Sequence, residues 1–169
     1  YSQNLGGSGV ANAGFYDGTY YYIDGETDDL YGVILNSEGT IASGNTAAEK
    51  LADITNDADG WSFNGDIAVK DGIVYGWGLS SHGHGYEFFT YNLATPGTPA
   101  NVIETDYQAS LQLAFGTDGT LYGHRSGGLG DIFAINIANG DVTYICSPNL
   151  LFTDCASGST TTIEEIPGI

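Results

Sequence analysis

Two acid-rich stretches hold the residues of this chain best suited to chemistry. In "IDGETDD", Asp24, Glu26, Asp28 and Asp29 set carboxylates at close spacing around a Gly turn. Hard oxygen ligands in a short loop are what calcium takes, about six to eight of them per ion. In "DITNDADGWSFNGDIAV", Asp57, Asp59 and Gly60 stand close to Asn56 and Asp66. The candidate calcium ligands are therefore Asp57, Asp59, Asp66, Asp24 and Asp28. The competing reading of both stretches is an Asx-turn, in which Asp and Asn hydrogen-bond their own backbone.

Histidines offer a second metal chemistry. His82 and His84 flank Gly83, and His124 follows a Tyr-Gly pair; three imidazoles on neighbouring loops could hold zinc, whereas Gly-flanked histidines are ordinarily solvated. Aromatic residues offer stacking. Trp77, in a Gly-rich stretch, and Tyr86 are the candidate ligand-binding residues for sugar rings, against the alternative that both fill a core. The chain has no Gly-x-Ser-x-Gly elbow, no phosphate loop and no His-Glu-x-x-His. The expectation is that it is not an enzyme.

Charge narrows the partners. Against 21 Asp and Glu stand only Lys50, Lys70 and Arg125, a formal net charge of −18. Such a surface repels nucleic acid and anionic membranes and attracts cations. No apolar run is long enough to read as a membrane span. Cys146 and Cys155 enclose a short polar loop, which suits a disulfide and an oxidising, extracellular compartment, with two reduced thiols as the alternative. There is no Met and no Asn-x-Ser/Thr acceptor; a processed or truncated product is the expectation.

A repeat positions these residues. Asp17-Gly18, Asp71-Gly72 and Asp118-Gly119 each precede a Tyr placed four residues after the Asp: Tyr21, Tyr75 and Tyr122. An apolar segment stands before each turn, "NAGF" at 12–15, "DIAV" at 66–69 and "QLAF" at 112–115. Acid-led aromatic strands follow from Asp29, Glu87 and Asp131. Last come "TIASG" at 40–44, "ANVIET" at 100–105 and "DVTYI" at 141–145. Each copy thus predicts four short antiparallel strands, a propeller-blade-like meander. The repeats run over about 12–54, 63–107 and 109–146 of a single all-β domain, with 1–11 and 157–169 as extended terminal arms. One helix is predicted, over 45–54, from Ala47, Ala48, Leu51 and Ile54 at helical spacing.

In its order of motifs the chain resembles the degenerate blades of secreted bacterial and archaeal β-propeller-like surface proteins of the adhesin type. Asp118, Gly119, Leu121, Tyr122, Gly123, Asn136 and Gly140 carry the likeness best. The resemblance implies an extracellular or cell-surface location and an interaction role, and it sets Asp57, Asp59 and Asp66 beside the calcium loops of some such blades. It carries over no catalytic residue.

Closed propellers take roughly four to eight blades. Three are present, and "FTDCAS" begins a fourth at Asp154. The fold is therefore expected to be incomplete, or completed by strands of a neighbouring subunit. The function expected first is an extracellular structural subunit that polymerises with copies of itself, through its arms and sheet edges, into a fibre or surface layer. The alternative is a propeller-type glycan- or protein-binding module of a larger secreted adhesin. Calcium is the one cofactor considered.

Overall fold

The computed structural model describes residues 10–25, 27, 29–42, 48–54, 65–80, 85–97, 100–125 and 130–148. They form three four-stranded antiparallel sheets in chain order. The first holds β1 (Val10–Tyr16), β2 (Thr19–Asp24), β3 (Asp29–Ile34) and β4 (Glu49–Asp53). The second holds β5 (Asp66–Lys70), β6 (Ile73–Ser80), β7 (Gly85–Asn92) and β8 (Asn101–Glu104). The third holds β9 (Leu111–Phe115), β10 (Leu121–Arg125), β11 (Ile132–Ile135) and β12 (Val142–Cys146). Each sheet is a meander whose strands pair with their sequence neighbours, so the architecture is all-β and blade-like.

Blades stack face to face with β1 against β5 and β5 against β9. Period-2 alternation explains β9, where Leu111, Leu113 and Phe115 are buried and Gln112 and Ala114 are half-buried. β5 is buried almost throughout because blades cover both of its faces. Ile67 and Val69 join Ile23, Leu30, Phe89 and Tyr91 between the first two blades. Ala68 joins Trp77, Phe88, Leu113 and Phe133 between the second and third.

The Asp-Gly pairs do make turns. Asp17 and Gly18 (φ 46° and 76°), like Asp71 and Gly72 (51° and 75°), are both left-handed, as a two-residue hairpin turn requires. The third copy differs: only Gly119 (83°) has positive φ there. Its loop is longer, closed by Gly116 N–H on the Thr120 carbonyl at 2.9 Å.

Two expectations fail in the first blade. Residues 49–53 of the predicted helix form strand β4. Leu51, Ala52 and Ile54 go into the junction with the second blade, and that packing outweighs helical spacing. "TIASG" is not the fourth strand either; Ile41 makes only an isolated bridge to Leu35.

Candidate functional site

An up-and-down meander sends every second connection to the same end of the sheet. The starts of β1, β5 and β9 therefore lie at one end, with the β2–β3, β6–β7 and β10–β11 connections. Contacts between blades bring these ends into line. At the starting end, Leu113 N–H donates to Asp66 Oδ2 at 2.8 Å and Trp77 Nε1 donates to the Ala109 carbonyl at 2.9 Å. At the opposite end, Lys70 Nζ reaches the Gly119 carbonyl at 3.3 Å and lies 5.1 Å from the Phe115 ring centre. The first end thus gathers Asp24, Asp29, Asp53, Asp66, Glu87, Glu104, Arg125 and Asp131 from all three blades.

Several of these acids have structural work. Asp24 is buried and accepts the Thr27 N–H, three residues on, at 3.2 Å, a side-chain cap on its own backbone. Asp29 pairs with Lys50 at 2.7 Å, which raises the lysine pKa through that hydrogen bond. Tyr31 donates to the same carboxylate at 3.5 Å; burial, then the Asp29 charge, pushes its pKa up. Asp66 ties the second blade to β9 of the third. Glu87, buried, stands directly across from the exposed Glu104 in the β7–β8 pair. His124 is buried too, and burial lowers its pKa below 6.5 against an opposing pull from Asp131.

Of the predicted calcium ligands, Asp24 and Asp66 are described and lie in different blades. Asp28, Asp57 and Asp59 fall outside the described residues, as do His82 and His84. Among the described residues, no group of three His, Cys, Asp or Glu side chains could hold a metal ion. The expected disulfide is corrected: Cys146 is an exposed free thiol at the end of β12. Cys155 lies outside the described residues, as do 1–9 and 157–169 of the predicted arms, whereas Val10 and Ala11 begin β1.

Trp77 is corrected. It is fully buried, its indole N–H is committed to Ala109, and its ring packs at 6.3 Å from Phe88 and 6.2 Å from Tyr107. The flanking Gly76 and Gly78 belong to β6, so no loop exposes the ring for stacking. Tyr86 is half-buried against the same core. Its N–H donates to Gln108 Oε1 at 3.0 Å and its carbonyl accepts from Thr105 Oγ1 at 3.3 Å. That β8–β9 crossover also borders a cleft of about 410 Å³, lined by Asp106, Tyr107, Gly140, Asp141, Val142 and Thr143. Nothing in the sequence marked this cleft, because its two walls are about 35 residues apart and meet only through blade packing.

No protein-family model and no curated protein matches the chain. Among solved structures it is similar to the PQQ-bound form of aldose sugar dehydrogenase from Streptomyces coelicolor, at 13% identity and a TM-score of 0.57. The match covers 81% of this chain and 47% of that one, so the chain spans about half of its neighbour's length. At that identity the likeness speaks to fold, and it supports blade-like repeats; adhesin-type membership is not shown. It overturns the expectation that the chain is not an enzyme. A dehydrogenase carries the same kind of fold, so missing familiar motifs give no ground for excluding catalysis.

Proposed function

We propose that the chain is an extracellular structural subunit that associates with copies of itself into a fibre or surface layer, through its terminal arms and open sheet edges. One observation carries this reading. Of the large apolar residues exposed among the described residues, Phe15, Ile34, Ile137, Tyr144 and Ile145 belong to the first and last blades, and Val102 alone to the middle one. Among the described strands, β12, which carries Tyr144 and Ile145, is the outermost of the last sheet, and a sheet edge is a template for another chain. The acidic composition, which holds the chain away from anionic membranes and nucleic acid, supports an extracellular setting. Negative-stain microscopy tests the reading. Filaments that disappear on deleting residues 159–169 support it, and a persistent monomer at high concentration defeats it.

The cleft favours a second reading, a propeller-type module that binds a glycan or a protein. Tyr107 supplies an aromatic wall, while Asp106, Asp141 and Thr143 supply acceptors for hydroxyl groups. The neighbour is a sugar dehydrogenase, which makes hydroxylated ligands the first to try. Its quinone cofactor is a poor fit here: PQQ is a tricarboxylate, and the end that gathers the strand starts carries many acids against Arg125 and a Lys50 already paired with Asp29. Glycan-array binding lost in Tyr107→Ala would favour this module, and an empty array would remove it. Calcium belongs to both readings, at the acidic stretches of sequence that hold Asp28, Asp57 and Asp59.

A further inference from the structure

We infer that copies of this chain dock head to tail, with the outward face of the third blade receiving the outward face of the first blade of the next copy. This deepens the assembly reading above and rests on it for the existence of self-association.

Asn12 to Phe15, Asp66 to Val69 and Gln112 to Phe115 are equivalent segments of the repeat. Phe15, Val69 and Phe115 therefore share one position. Val69 and Phe115 are 8% and 7% exposed, each sealed at the junction with the preceding blade, whereas Phe15 is 62% exposed. The direction of Phe15 follows from its neighbour. A Cβ on Gly14 would touch Val69 and Ile67 of the second blade, so the next residue along the strand points away from that blade.

The other half of the contact is the tyrosine of each repeat. Tyr21 packs into the first junction, whose core includes Val69. Tyr75 meets Phe115 edge-on across the second, with ring centres 5.2 Å apart at 73°. Tyr122 holds the same position in the third blade. Leu121 beside it is buried toward the second blade, so Tyr122 lies on the face turned outward. Thr143 shares that face, since its partner Ala134 pairs with Tyr122 across β10 and β11.

A second copy is the fitting occupant because the two outward faces match by the rule that the chain's own junctions obey. Each internal junction joins a tyrosine face to a face of the Phe15 kind; the third blade offers the first and the first blade offers the second. The polar contact extends likewise. Asp66 accepts Leu113 N–H across the second junction, and Gln112 and Ala13 are the equivalents that would meet between copies. Such an interface is heterologous, so it closes into a ring or continues as a filament.

Light scattering on a sizing column, with negative-stain images, tests this on the full chain as wild type, Phe15→Asp, Tyr122→Asp and an equal mixture of the two variants. Thermal melts confirm that each variant is folded, and Phe15→Ser with Tyr122→Ser serves if either is not. Wild type is expected to assemble, and each variant alone to associate about a hundredfold more weakly, because a carboxylate replaces a buried ring. The mixture should form dimers of one copy of each and nothing larger, since only one intact pair of faces remains. A mixture that stays monomeric overturns the docking. Variants that assemble like wild type also overturn it, yet leave the fibre reading intact, with arms or edges carrying it. A closed ring of wild type upholds the docking and removes the fibre, and a monomeric wild type removes both.

Discussion

Asp66 joins two blades through one carboxylate oxygen, and the bond is worth more than its length suggests. Leu113 N–H is enclosed at the junction, so removing its acceptor leaves a buried donor unsatisfied. Asp66→Ala is expected to cost about 1–3 kcal/mol in urea unfolding, with Asp66→Asn recovering part because its amide oxygen still accepts. An alanine variant as stable as wild type would show that the bond contributes nothing. His124 gives a pH signature. Burial holds its pKa below 6.5 in the folded chain, so the unfolded chain binds the proton first as pH falls. Its contribution is therefore complete above 6.5 and is lost from there down through the lower folded value. Replacing it, as in His124→Gln, should flatten the fall of stability in that window, and an unchanged slope would place the loss elsewhere. Asp118 acts lower still. Hydrogen bonds from Thr120 N–H and Oγ1, then Tyr122 Oη, hold its carboxyl below 3.8, so what it adds is present above 3.8 and fades only beneath it.

Strand β6 shows what sequence can and cannot reveal about an element. Gly76 and Gly78 around Trp77 read as loop residues, yet Gly76 pairs with Phe89 across the sheet, and a Cβ there would enter the Phe89 ring. The glycine makes room for an aromatic neighbour, which is visible only once β6 and β7 are in register. Gly76→Ala should displace Phe89 from the first junction and cost about 1–3 kcal/mol, the usual penalty for overpacking, measured by thermal melt. A melt within error of wild type would mean that the ring relocates freely. The first two Asp-Gly turns were legible because two left-handed residues between β runs have few alternatives. Strand β4 was not, since Ala and Leu at helical spacing satisfy either period until the neighbouring blade supplies a surface. A subtler signal lay in Asn36, Asn92 and Asn136, at or just past the end of the third strand of each repeat. Their side-chain oxygens accept N–H groups two residues on, at 3.0, 2.9 and 3.0 Å, closing the same turn three times.

For the molecule as a whole, the arrangement of blades was readable in the period of the repeat, whereas what meets the outer faces was not, because no local pattern distinguishes a face covered by the next blade from one left open. Net charge was fully readable and has a consequence at this scale. At −18, self-repulsion opposes both the compact state and the approach of further copies. Sodium chloride should raise the melting temperature through screening alone, with most of the effect reached once the Debye length falls to about 10 Å near 0.1 M. Calcium offers a sharper distinction. If the acidic stretches with Asp28, Asp57 and Asp59 bind it, an ion at a hundred times its dissociation constant adds about 2.7 kcal/mol. For a chain of this size that is roughly 5–10 °C beyond sodium chloride at equal ionic strength, and a chelator should abolish it. Equal melting temperatures in the two salts would reduce calcium to a counterion.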